Sequence, residues 1–177
     1  DMNTQTRRII RKAIMIVMIG FGILGGLFAA GYAWDDEGLA KGSLIVASYA
    51  VPMLVLSLLA KTRPAIALPL LLLGTAVVVV MSLGDASDPM KWKDLWDAYG
   101  PVVGISGFAV SVPAAVYGYY HRARVAGLIL AASCGVSLFA GLIMGTQEGP
   151  LVGGSTSAGV LPGLIAGLVL LIVGDDN

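Results

Sequence analysis

Apolar residues in this chain come in long unbroken runs, and the polar residues are collected into the short intervals between them. The pattern is plainest between residues 102 and 145. There an apolar run reaches the basic turn Tyr119-Tyr120-His121-Arg122-Ala123-Arg124, and a second run of small residues follows. Each run is about 20 residues long, which at about 1.5 Å per helical residue matches the roughly 30 Å hydrocarbon core of a bilayer. A water-soluble helix of that length would carry a charged face, and neither run has one. The same alternation repeats along the chain. It predicts an all-α protein in which six transmembrane helices at about 9–34, 43–60, 64–83, 102–120, 124–145 and 158–174 form one domain over 1–177.

The polar intervals refine this picture. Residues 35–42 read as an acidic turn and Lys61-Thr62-Arg63-Pro64 as a short basic one. The longest polar interval, 84–101, predicts a short amphipathic surface helix between the third and fourth spans. Ser87 is suited to cap it, and Trp92, Trp96 and Tyr99 share one face at the membrane boundary. Basic residues set the orientation. Arg7, Arg8, Arg11 and Lys12, then Lys61 and Arg63, then Arg122 and Arg124 fall on one side of six spans, with Lys41, Lys91 and Lys93 opposite. The positive-inside rule makes the first side cytoplasmic and puts both termini there. The first apolar run exceeds the 7–15 residues of a signal-peptide core, so it reads as a span.

Within the runs, small residues recur at helical spacing. Gly22, Gly26 and Ala30 form one such face. Ser133, Ser137, Gly141 and Gly145 form a second, Gly127, Ala131 and Gly135 a third, and Gly159, Gly163 and Gly167 a fourth. Such faces let helix backbones approach closely where lipid competes for apolar contact. Small residues on two sides of the fifth span predict that it is the central helix. Pro52 predicts a bend near 47–52. The runs Leu70 to Leu73 and Val77 to Val80 read as lipid-facing.

Composition removes whole classes of function. Charged residues are 12% of the chain and hydrophobic ones 57%, against a norm of about 25% charged for soluble domains. The apolar cores of the six spans hold no Asp, Glu, Lys, Arg or His. Proton relays and ion-coupled transporters place ionisable groups there. No Ser-His-Asp set can form inside the membrane, so no catalytic residues, metal ligands or cofactor are expected. The one cysteine, Cys134, cannot form a disulfide within the chain.

What remains are prolines, small-residue faces and hydroxyls. They predict a cleft between the second, fourth and fifth spans with apolar walls and a few polar groups. Tyr49, Pro52, Ser106, Ser111, Pro113, Tyr117, Ser133 and Ser137 are its candidate lipid-binding residues. Two other readings stay open: a subunit of a small-solute transporter or channel, and a structural subunit that docks another membrane protein through its glycine faces. No nucleic-acid partner is expected.

Several segments carry a family resemblance. Tyr117-Gly118-Tyr119-Tyr120-His121-Arg122-Ala123-Arg124-Val125-Ala126-Gly127-Leu128 resembles the turn between the fourth and fifth spans of the insulin-induced gene (Insig) proteins. In that family aromatics precede an Asp-Arg-Ser-Arg-Ser-Gly-Leu-Gly run. Leu161-Pro162-Gly163, with Gly174 beyond it, is similar to the family's closing helix. Ser48-Tyr49-Ala50-Val51-Pro52 is similar to its second span, and Lys91-Trp92-Lys93-Asp94-Leu95-Trp96 to the stretch before its fourth. The resemblance implies a polytopic, non-enzymatic protein that binds a sterol-like or diacylglycerol-like neutral lipid. His121 stands where the family has a functionally important aspartate in the cytoplasmic turn, so eukaryotic sterol-sensing partners are not expected. The Ala, Val and Gly content points to a bacterial plasma membrane. Self-association is expected, with a trimer as one arrangement.

Overall fold

A computed structural model describes residues 3–87, 107–139 and 154–175, apart from the side chains of 85–87 and 154–159. All regular structure among them is helical: α1 (Thr4–Thr62), α2 (Pro64–Ser87), α3 (Phe108–Tyr120), α4 (Ala123–Phe139) and α5 (Gly154–Val173). Residues 88–106, with most of the expected surface helix and Ser106, and residues 140–153 lie outside the described residues; Ser87, expected to cap the surface helix, instead ends α2, and the last helix starts at Gly154, inside the expected loop.

The first two expected spans fall within α1, which is a hairpin. Asn3 caps its start by accepting from the Gln5 amide at 3.2 Å. The helix then runs to a single non-helical residue, Gly38, at φ 75° and ψ 171°, a region essentially restricted to glycine. There the chain reverses. A β-carbon at Gly42 would lie 2.5 Å from the Ala33 carbonyl oxygen, and the Trp34 indole donates to the Ser43 hydroxyl at 3.2 Å. The Lys41 ammonium meets the Glu37 carboxylate at 2.6 Å across the bend. The acidic interval is therefore a one-residue pivot between two helical limbs, not a loop over 35–42. Charge brings those residues to water without unwinding the backbone, and glycine supplies the reversal. At Pro52 the helix continues, and the one non-helical residue inside α1 is Gly38.

The limbs, 4–37 and 39–62, lock through glycine. Gly22 and Gly26 open a groove for the Tyr49 ring, and the Tyr49 hydroxyl donates to the Gly22 carbonyl at 2.9 Å. Helix α3 packs antiparallel to the first limb. Phe21 stacks on Phe108 with ring centroids 6.5 Å apart, and Val112 fills the space over Gly22.

Ten of the 13 residues of α3 are buried, against seven of the 17 in α4. The central helix is thus the fourth expected span and not the fifth. Small residues on two faces record how closely neighbours approach; they do not count the neighbours. Helices α4 and α5 do approach closely. A β-carbon at Gly167 would lie 2.8 Å from the Ala131 amide nitrogen and 3.0 Å from the Gly127 carbonyl oxygen, and one at Gly127 would lie 2.8 Å from the Gly167 carbonyl oxygen. In α2, Leu70, Leu72, Leu73, Val77 and Val80 are exposed as expected, but Leu71 is fully buried and Val78 packs against the core.

Among the described residues, many large apolar side chains face outward. Leu39 is 77% exposed and Ile172 82%, with Leu24, Leu27, Leu44 and Val80 also projecting outward. Thr4–Thr62 and Pro64–Gly84 are long and apolar enough to cross a membrane, and Ala123–Phe139 and Val160–Val173 are shorter apolar helices. A surface so continuously apolar is unfavourable in water and suited to lipid.

Candidate functional site

The expected cleft residues fall into three groups. The first is packed deep in the bundle. Tyr49 and Tyr117 are 4% exposed, Ser111 and Ser133 2%, and Pro113 is among the largest fully buried side chains. Ser111 lies near the junction of α3, α4 and α5, where a β-carbon at Gly163 would sit 2.5 Å from the Cys134 sulfur and 3.9 Å from the Ser111 β-carbon. Protein atoms therefore fill the space expected to be open beside these residues. Pro52 makes up the second group. It is exposed on the exterior of the hairpin, while its neighbour Met53 is buried, so it does not shape an interior wall.

The third group is Ser137, which is half-buried. Its hydroxyl lies 2.8 Å from the Ser82 hydroxyl on α2. The two residues lie about 20–27 Å along their helices from the basic turns where α4 and α2 begin. Around Ser137, Gly135, Val136 and Leu138 are also half-buried and Phe139 is exposed. The bundle is therefore looser here than at Ser133, one turn earlier.

The hydroxyls have a common electrostatic arrangement. Ser111 donates to the Gly107 carbonyl at 3.0 Å, Ser133 to Ile129 at 2.8 Å, and Thr75 to Leu71 at 2.8 Å. Each occupies its single proton on its own helix and keeps an acceptor oxygen. The Ser82–Ser137 pair differs. Ser82 lies 2.8 Å from the Val78 carbonyl, Ser137 lies 2.8 Å from the Ser133 carbonyl, and the two hydroxyls touch each other. Two protons cannot fill three contacts, so this seam has one hydrogen bond fewer than its geometry allows.

Ser82 was not among the expected site residues; in its span, Leu70 to Leu73 and Val77 to Val80 read as lipid-facing. Its signal was present: Thr75 and Ser82 are seven residues apart and share the face of Leu71, and all three are buried. Ser57 was also missed as a candidate. Its hydroxyl oxygen is buried without a partner on the second limb of α1.

At the opposite end, the turn containing His121, Arg122 and Arg124 gathers with the start of α1 and the end of α5. Arg7 Nη1 donates to the Asp175 carbonyl at 3.1 Å, and the Arg124 amide donates to Asp175 Oδ1 at 3.3 Å. Lys61 Nζ lies 5.6 Å from the Tyr120 ring centroid. The basic segments expected on one side of the membrane are thus at one end of the molecule. Comparison with protein-family models, with characterised proteins and with solved structures returns no match to this chain.

Proposed function

We propose that this is a non-enzymatic integral membrane protein of six spans, with both termini on the cytoplasmic side of a bacterial plasma membrane, that binds a neutral lipid. The two limbs of α1 together with α2 to α5 supply the six crossings. The observation that carries the lipid reading is the Ser82–Ser137 seam, a hydroxyl pair joining buried Ser82 on α2 to half-buried Ser137 on α4, whose neighbours Gly135, Val136 and Leu138 are apolar and half-buried. A diacylglycerol-like or sterol-like molecule matches it. One hydroxyl head is held at the seam and the rest lies against Gly135, Val136 and Leu138, in surroundings where neither a charged head nor a strong polar cluster would be solvated. The resemblance of 117–128 to the Insig turn supports the same class of ligand.

The test is photo-crosslinking in nanodiscs with a diazirine-bearing diacylglycerol. The proposal predicts label on peptides containing Ser82 or Ser137, displaced by unlabelled diacylglycerol and reduced several-fold in the Ser82→Ala, Ser137→Ala double variant. Uniform labelling of the exterior that unlabelled ligand does not displace would refute it.

Self-association is the second part of the proposal. Leu24 and Leu27 project from one face of the first limb, 64% and 65% exposed, and offer an apolar face to a second copy of the chain. A monomer in nanodiscs by mass photometry would oppose this part alone.

A further inference from the structure

The formal charge of the whole chain is zero, yet its described charges are sorted by end. Three contacts bring the basic segments together: Arg7 Nη1 with the Asp175 carbonyl, the Arg124 amide with Asp175 Oδ1, and Lys61 Nζ with the Tyr120 ring. At this end Arg8, Lys12, Lys61, Arg63, Arg122 and Arg124 are all exposed. Among the described residues, the acidic side chain placed here is Asp175, which is half-buried. At the far end of the first limb Asp35 and Asp36 are exposed, and Glu37 pairs with Lys41. About 35 Å of helix separates Lys12 from Asp35, several times the roughly 8 Å over which exposed charges act at physiological ionic strength. The acidic bend therefore does not neutralise the basic end.

Six exposed cations at one end repel one another, and Arg8 and Lys12 do so one helical turn apart. Apolar and aromatic groups stand among them: Ile9 is 59% exposed, Ile66 46% and Tyr120 44%. This mixture suits the boundary of a bilayer, where side-chain stems and rings meet acyl chains while the charged tips meet headgroups. The first long apolar run begins at Ala13, directly after Lys12, which sets the cations at headgroup depth when the chain lies in a bilayer.

We infer that the exposed cations of the basic end form a contact surface for anionic lipid headgroups, which gather around this end of the bundle and not around the acidic bend. The lipids exchange freely, because the surface is a concentration of charge and not a fitted pocket. The contact needs the membrane placement proposed above. It does not need a neutral lipid at Ser82–Ser137.

The experiment reconstitutes the full chain in vesicles with equal parts of phosphatidylglycerol and phosphatidylcholine in both leaflets. A trace of one or the other lipid carries a photoreactive diazirine beside its headgroup, and labelled peptides are mapped by mass spectrometry. Peptides holding residues 8–12, 61–63 and 122–124 should take about five-fold more label from the phosphatidylglycerol probe than from the phosphatidylcholine probe. Peptides holding residues 32–44 should show no such excess, so the bend serves as a control within the same molecule. The excess should fall several-fold at 1 M salt, where exposed charges are screened. It should nearly vanish when Arg8, Lys12, Arg63 and Arg122 are all replaced by glutamine, and persist when Arg8, Arg63 and Arg122 are replaced by lysine. Thermal unfolding checks that both variants remain folded. Equal labelling by the two probes at the basic end would overturn the inference, as would an equal excess at both ends or an excess unchanged in the glutamine variant. If a diazirine at the acyl-chain end of either lipid also left the outward-facing Leu24 and Leu27 unlabelled, the membrane placement and this inference would fall together.

Discussion

At the scale of single residues, glycine determines how closely these helices meet, and the structure separates glycines that are needed from glycines that are not. Gly167 faces the backbone of α4, where no atom can rotate out of the way. Gly167→Ala is therefore expected to lower stability by about 1–3 kcal/mol, the usual range for overpacking. Gly20→Ala, with nothing within 4 Å, is expected to be neutral or to stabilise by up to about 1 kcal/mol through helix propensity. Unfolding in mixed micelles titrated with denaturing detergent measures both, and similar losses would contradict the close contact. Tyr49→Phe tests a polar contact in the same setting. It removes the donor to the Gly22 carbonyl, but that oxygen also belongs to the helix ladder and is not orphaned. The expected cost is about 0.6 kcal/mol, the average for such bonds inside membranes, and a loss several times larger would assign Tyr49 a role beyond this bond.

The glycine faces were legible at this scale. Gly22 with Gly26, Gly127 with Ala131, and Gly163 with Gly167 all lie at helix contacts. The hydroxyls were legible only as a list. Nothing in the order of residues says that Ser111 and Ser133 donate to their own helices, or that Ser137 reaches Ser82 on another one. Those facts depend on rotamers and on how neighbouring helices are rotated.

At the scale of elements, the hairpin of α1 depends on one backbone conformation. Gly38→Ala places a β-carbon where φ is 75° and ψ 171°, and strain of this kind costs about 1–3 kcal/mol. Trp34, bonded to Ser43 across the bend, reports the result once Trp92 and Trp96 are replaced by phenylalanine. Its emission should shift to the red in Gly38→Ala as the bend opens, while a Gly31→Ala control, in open space on the same limb, should leave it unchanged. An unshifted spectrum in Gly38→Ala would show that the reversal tolerates other residues. The seam between α2 and α4 makes a separate prediction: a double-mutant cycle on Ser82→Ala and Ser137→Ala should give a coupling energy near 0.6 kcal/mol, and strict additivity would mean that the two hydroxyls do not share a bond. The approximate positions of the helices followed from apolar run length alone. The joint between the first two did not, because polarity marks where a chain meets water and not whether it uncoils there. The identity of the central helix also escaped the pattern: burial on all sides of α3 depends on how its neighbours are arranged around it, which the spacing of residues does not give.

At the scale of the whole molecule, the bundle is apolar outside, closely packed through α3, and polar at its basic end. The segregation of charge in the sequence was enough to predict that residues 7–12, 61–63 and 121–124 lie together, and the contacts of Arg7 and Arg124 with Asp175 bear out part of that grouping. The candidate cleft was less legible. Its hydroxyls were chosen from helices expected to stand apart, whereas small residues close the interior around Ser111, Pro113 and Ser133 and leave the Ser82–Ser137 end as the looser region. If the proposal holds, a neutral lipid is a stoichiometric part of this protein. The most direct test is the intact mass of the gently purified chain in native mass spectrometry: the account predicts a species heavier than the polypeptide by one neutral lipid per chain, lost when Ser82 and Ser137 are both replaced by alanine, and a folded wild-type chain flying with no bound lipid would contradict it.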